Sequence, residues 1–155
     1  MLQLNIEPIG TVASAVSDAE TLDAGWSQVV ADIVINPDYE PALIGIEDWS
    51  HVLVIFVMHE AHFDPAAHLV FRPKQRDDMP AVGAFAQRSR YYPNSIGITA
   101  VKVLRVQANR LTVQGLDAIH GTPVLAIKPY APVFDNVHDP AVPVWFVRLM
   151  QGDFD

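Results

Sequence analysis

Residues 50–60, SHVLVIFVMHE, form the most apolar stretch of the 155-residue chain. The run is too short to cross a membrane. Its valines and isoleucines are stiff at the first side-chain torsion and suit a pleated strand better than a helix. It therefore predicts a central strand buried on both faces. His51 and His59 bracket it and so fall at strand ends, where binding groups on sheets commonly sit.

Working outward, residues 2–13 (LQLNIEPIGTVA) alternate apolar and polar with the period of a half-buried strand. Pro8 and Gly10 make it an edge or bent one. Residues 28–35 (QVVADIVI) read as a strand stopped by Asn36 and Pro37, and Leu43, Ile44 and Glu47 suit a brief helical turn over 41–48. Residues 63–69 are a connection and 70–79 (VFRPKQRDDM) a polar, mobile loop. The run from Gly83 to Ala86 looks like a strand, followed by polar residues 87–95 in which Pro93, with Gly97 beyond, forbids a helix. Residues 98–106 (ITAVKVLRV) alternate, Asn109 and Arg110 turn the chain, and 110–116 return as a hairpin arm. A turn-rich loop over 117–123 leads into a strand at 124–127, and the proline-rich tail carries one apolar cluster, 144–150 (VWFVRLM), suited to a short helix or strand.

Six or seven short strands and twelve prolines predict a mainly β fold, a small antiparallel or mixed β-barrel with short helical turns. No strand–helix–strand succession opens on a glycine-rich turn, which disfavours the doubly wound nucleotide fold. Residues 1–135 would form the barrel and 136–155 a tail packing on it or on a dimer partner.

Composition narrows the partners. Half of the residues are hydrophobic, no run spans a membrane, and no basic apolar leader opens the chain, so a soluble cytoplasmic protein is expected. The absence of cysteine removes disulfides, thiolate metal sites and thiol nucleophiles. The net charge of −8 is unevenly spread: residues 1–71 hold eleven acids and no lysine or arginine, whereas 72–155 hold ten bases and seven acids. Arg72, Lys74, Arg76, Arg88 and Arg90 crowd into one short stretch. They would suit a phosphate-bearing partner, or pair with the acids of the first half.

Few residues carry obvious chemistry. His59, His62 and His68 lack the spacing of a zincin helix, and no metal site is expected. No nucleophile elbow occurs, and Asp77 and Asp78 read as a solvated turn. What remains is a set of turns at apparent strand ends: Ala24, Gly25 and Trp26; His59 and Glu60; Arg88 and Ser89; 94–98; and 120–124. Arg88 needs either an internal acid or a ligand, since an unpaired guanidinium is not buried.

The strings EPIGTVAS, EDWSHVLVIFVMHE, VGAFAQRSRYYPNSIGITAVKVL and GLDAIHGTPVLAIKPYAP, in this order and spacing, resemble the TrmO/TsaA-like family of β-barrel methyltransferases. The resemblance covers residues 4–132. It implies a homodimeric barrel that uses S-adenosylmethionine to methylate N6 of threonylcarbamoyladenosine at position 37, in the anticodon loop of tRNA. It places cofactor contacts on Ala24, Gly25, Trp26, His59, Glu60, Arg88, Ile98, His120, Gly121, Thr122 and Pro123. A proton acceptor would come from His59, Glu60, His120 or Tyr92, and RNA contacts from Arg72, Lys74, Arg76 and Arg90.

This chain departs from the family pattern where Gln87 replaces a threonine, Tyr92 an arginine, Ser95 a proline, and His120 and Ala126 aspartates. Losing the arginine removes a phosphate or substrate contact and offers a stacking face instead. Methylation of a small molecule or peptide, and cofactor sensing without catalysis, are the alternatives these departures raise.

Overall fold

The computed structural model describes residues 1–21 and 25–151. Among them are eight strands: β1 Gly10–Ala13, β2 Val30–Ile35, β3 His51–Val57, β4 Val70–Phe71, β5 Val82–Gly83, β6 Ile96–Gln107, β7 Arg110–Gln114 and β8 Pro123–Pro129. Six close into a barrel in the order β1-β2-β7-β6-β3-β8, and β4 and β5 pair as a separate ribbon. Every pairing is antiparallel, so the barrel is antiparallel rather than mixed. Closure leaves no unpaired sheet edge within the barrel.

Antiparallel order has a direct consequence for function. The starts of β2, β6 and β8 and the ends of β1, β3 and β7 share one rim, as the pairs Ala13↔Asp32, Val30↔Gln114, Val57↔Ile96 and Thr11↔Pro123 require. Each long loop ahead of β2, β6 or β8 therefore arrives at the same end.

The interior is filled by Val12, Ile33, Ile35, Val52, Val54, Phe56, Val101, Leu111, Val113 and Val124, none more than 3% exposed. On β3 the inward set is Val52, Val54 and Phe56. Leu53, Ile55 and Val57 face outward and are only half covered. The expectation of burial on both faces is corrected here, because a closed barrel has one interior. The outward residues pair with Ala100, Ile98 and Ile96 of β6, giving the barrel an apolar strip on its outer wall. Elsewhere on the outside, Asp32 accepts hydrogen bonds from Thr112 (2.6 Å) and Arg110 (3.1 Å) across the β2–β7 seam.

Three other expectations are revised. The N-terminal alternation yields a strand only from Gly10, and Leu2, Leu4 and Ile6 are exposed. Gly10 pairs with Ile35, the last residue of β2, so β2 offers nothing opposite the earlier residues, of which Ile9 still donates to the Val124 carbonyl at 2.8 Å. The run up to Ala86 is strand only at Val82–Gly83, followed by a 3-10 turn at Ala84–Ala86. The polar segment 70–79 begins as β4 and buries Pro73 and Met79, and Arg72 Nη1 donates to the Met79 carbonyl to close it. Three short helices complete the fold: α1 Pro65–His68, α2 Pro132–Asp135 and α3 Val144–Met150. Of α3, Leu149 is buried while Val144 and Val147 are exposed.

Candidate functional site

A cavity of about 540 Å³ opens at the shared rim. Trp26, ahead of β2, lies on one side, and the end of β3 supplies Phe56, Met58, His59 and Glu60. Arg88 and Tyr92, with Ile96–Thr99 of β6, form another wall, and Asp117, Ile119 and Thr122 close the approach to β8.

Two glycines shape it. Gly97 pairs with Phe56, and a Cβ there would come within 2.5 Å of the Phe56 ring, so only glycine lets that ring lie flat beneath the cavity. Gly121 has φ +86° and faces His59, whose Nε2 would lie 3.9 Å from an added Cβ. The 120–122 turn is pinned to the end of β1 by Gly121 N–H to Val12 O (2.8 Å) and Val12 N–H to Thr122 O (2.9 Å). His120 Nδ1 accepts from the Ser14 amide at 3.3 Å, which ties the ring to the segment after β1.

Arg88 is exposed, and its Nη2 donates to the Ile98 carbonyl at 2.9 Å. Among the described residues no carboxylate pairs with it. The choice posed for Arg88 between an internal acid and a ligand assumed burial, and the exposed side chain meets its need with a carbonyl and solvent. Its positive charge stands on the cavity wall against a neutral acceptor.

Two departures from the family pattern touch each other. The Tyr92 hydroxyl donates to the Gln87 carbonyl, and the nearly buried Gln87 side chain donates to the carbonyls of Phe71 (3.2 Å) and Val82 (3.3 Å) at the β4–β5 ribbon. Tyr92 is therefore an anchored wall rather than a swinging side chain.

Of the residues expected at the site, Trp26, His59, Glu60, Arg88, Ile98 and Thr122 line the cavity. Gly121 borders it through His59, whereas Gly25, His120 and Pro123 are not on its lining. Ala24 lies outside the described residues. Sequence reasoning missed Thr99 and Asp117, whose side chains hydrogen-bond to each other at the cavity wall. A carboxylate in a turn-rich loop ahead of a strand was the available signal.

Of the four bases expected to meet RNA, Arg90 alone lines the cavity. Its guanidinium bonds the Tyr91 hydroxyl at 3.1 Å and lies 3.9 Å from Glu20; first the Tyr91 bond, with help from Glu20, holds it in its charged form. Arg76 makes a two-pronged pair with Asp78 (2.9 and 2.6 Å), and that hydrogen bond keeps the Asp78 carboxyl below its usual range. Pairing between the acidic and basic halves is thus real for Arg90 with Glu20 and for Arg110 with Asp32. His68 stacks on Tyr91 at 4.1 Å. Among the described residues no group of three or more His, Asp or Glu is placed to hold a metal, and no helix is long and apolar enough to cross a membrane.

Fold and cavity together define a closed antiparallel barrel with a cavity built from rim loops. The chain belongs to the tRNA-methyltransferase O N-terminal domain family, which matches residues 21–136. It is 36% identical over 136 residues to an S-adenosyl-L-methionine-binding protein of Archaeoglobus fulgidus, covering 86% of this chain and 94% of that one. It is 39% identical over 111 residues to human tRNA (adenine(37)-N6)-methyltransferase, covering 68% of this chain and 24% of the human protein. The crystal structure of TrmO from Pseudomonas aeruginosa superposes with a TM-score of 0.73 at 28% identity, covering 92% of this chain and 63% of that chain. The chain spans about three-fifths of the length of the first curated relatives it matches.

Proposed function

We propose that the chain is an S-adenosylmethionine-dependent methyltransferase acting on N6 of threonylcarbamoyladenosine at position 37 of tRNA, with the cofactor in the rim cavity. The observation that carries this reading is the convergence of four sequence-distant loops on one cavity. Its volume lies in the usual range for small-molecule sites. The lining suits an adenosyl sulfonium: Trp26 and Tyr92 offer aromatic faces to a soft cation, and Glu60 and Asp117 offer carboxylate acceptors for hydroxyl groups. When bound, S-adenosylmethionine supplies a methyl group on a positively charged sulfur, an already activated leaving group.

The residues of the chain then have three tasks. Arg88, Ile98 and Thr122 hold and orient the cofactor, Trp26 and Phe56 keep water from it, and a base takes the proton of the acceptor nitrogen. Tyr92 already spends its hydroxyl on Gln87, and His120 engages Ser14, so His59 and Glu60 are assigned this last role. Calorimetry with S-adenosylmethionine tests the shared premise. Transfer of labelled methyl groups to bulk tRNA, with and without the threonylcarbamoyl modification, tests the substrate. Heat of binding without transfer to either tRNA would leave only the cofactor assignment standing.

Arg72, Lys74, Arg76 and Arg90 are proposed to meet the anticodon-loop backbone. Reversing charge at Lys74 and Arg76 together is expected to weaken tRNA binding about tenfold and flatten its salt dependence, because each lost phosphate contact removes released counterions. Cofactor affinity should stay the same, and equal loss of both would count against the assignment.

The apolar outer strip of Leu53, Ile55 and Ala100, which runs on into the cavity wall at Ile96 and Ile98, supports a homodimer, with the tail from residue 136 packing on the barrel or the second copy. Ala100→Asp, which puts a charge in that strip, is expected to convert a dimer to a monomer in sedimentation. The reading puts the protein in the cytoplasm with its substrate. A second reading, cofactor binding without transfer, is favoured by one fact: the Archaeoglobus protein that the chain matches over nearly its whole length is named for binding alone.

A further inference from the structure

The end of the barrel opposite the cavity carries a second, smaller cleft of about 320 Å³. Its walls are the ends of β2 and β8, at Ile35, Ile127 and Pro129, and the short 3-10 turns Pro37–Leu43 and Ile46–Asp48, with Tyr39 in the first and Ile44 and Trp49 each directly following a turn. Almost every lining group is apolar. Ile44 is 85% exposed, and Tyr39 and Trp49 are each more than 40% exposed, so the chain leaves large apolar side chains open to water at a concave place.

The same two turns carry Asp38, Glu40, Glu47 and Asp48, all exposed, and none has an ion pair among the described residues. The nearest base in sequence to the lining is Lys128, beside Pro129. Arg110, at the same end, is already committed to Asp32. Nothing in the proposed methyl transfer uses this cleft. The two turns themselves carry four acids and no base, which disfavours a nucleic acid there, and the apolar floor has no use for a hydrated ion.

We infer that the 37–49 cleft is a docking site for a protein segment bearing lysine or arginine beside apolar side chains. The apolar groups would fill the floor between Tyr39, Ile44 and Trp49, and the basic groups would meet the four carboxylates at the rim, where they speed encounter and set orientation more than they add affinity. The inference does not depend on the reaction at the opposite end.

The test uses the whole chain and a dye-labelled ten-residue peptide of alternating leucine and lysine, followed by fluorescence polarisation. Comparison peptides replace the lysines by glutamate or the leucines by serine. Saturable binding of the leucine–lysine peptide is expected, with at least tenfold weaker binding of both comparisons. Glu40→Lys with Glu47→Lys, and separately Ile44→Ser, should each lower affinity at least tenfold; all three positions are on exposed turns, and unchanged melting and cofactor binding would confirm an intact fold. Equal binding of the serine–lysine peptide would reduce the effect to general acidity and overturn the proposal. So would binding that survives both variants, or no saturable binding at all. If Ile44→Ser instead dissociates an oligomer while the peptide fails to bind, the cleft belongs to a second copy of the chain and the proposal is likewise wrong.

Discussion

Gly97→Ala is expected to lower stability by about 2 kcal/mol, the usual scale for overpacking a filled core, and to abolish measurable S-adenosylmethionine binding. The new methyl group would lie 2.5 Å from Cζ and 2.6 Å from Cε2 of Phe56. That ring is 3% exposed, so it must be pushed either into the packed barrel or up into the cavity. The first route strains the core, and the second occupies ligand space. For a domain of this size the melting temperature should fall by roughly 4–8 °C. Gly83→Ala is the control, since its Cβ would find only the Leu69 carbonyl at 3.8 Å, and it should melt and bind like the parent. Unaltered cofactor binding by the Gly97 variant would mean that Phe56 does not bound the ligand space.

Arg88→Ala should separate binding from stability in the opposite way. The side chain is exposed and gives up one hydrogen bond, to the Ile98 carbonyl, so the melting temperature should shift by no more than about 2 °C, as for a surface substitution. The cavity, however, loses a cation with several N–H groups left over for a ligand, and also the brace on the strand that contributes Ile98. A charged hydrogen bond to a bound ligand is worth about 1.5–3 kcal/mol, so cofactor affinity should fall about ten- to a hundredfold by calorimetry. Arg88→Lys keeps the charge but not the fork, and recovery by lysine would assign the effect to charge alone. A large drop in melting temperature with unchanged affinity would instead make Arg88 a structural brace.

Some of this was legible in the chain itself. Period-two patterning in residues 98–106 marks a strand because a pleated backbone sends alternate side chains to opposite faces, whatever the neighbours are, and the stiff valines and isoleucines of 28–35 act just as locally. Of the turns singled out at 24–26, 59–60, 88–89, 94–98 and 120–124, Trp26, His59, Glu60, Arg88, Ser89, Ile96, Gly97, Ile98 and Thr122 line the rim cavity. What the pattern could not say is which turns meet, since a turn is a local property and a rim belongs to the pairing.

Local sequence thus determined the barrel strands from β2 onward, their breaks and the family blocks, because side-chain stiffness, alternation and proline act within a few residues. Only the tertiary structure decided that β3 has one buried face rather than two, that Leu2, Leu4 and Ile6 find no partner strand, and that Tyr92 is tied to Gln87. It also brought Thr99 to Asp117 and set His59 against Gly121. Each of these depends on closure and register, which join residues far apart in the chain and are fixed only when the last strand pairs with the first.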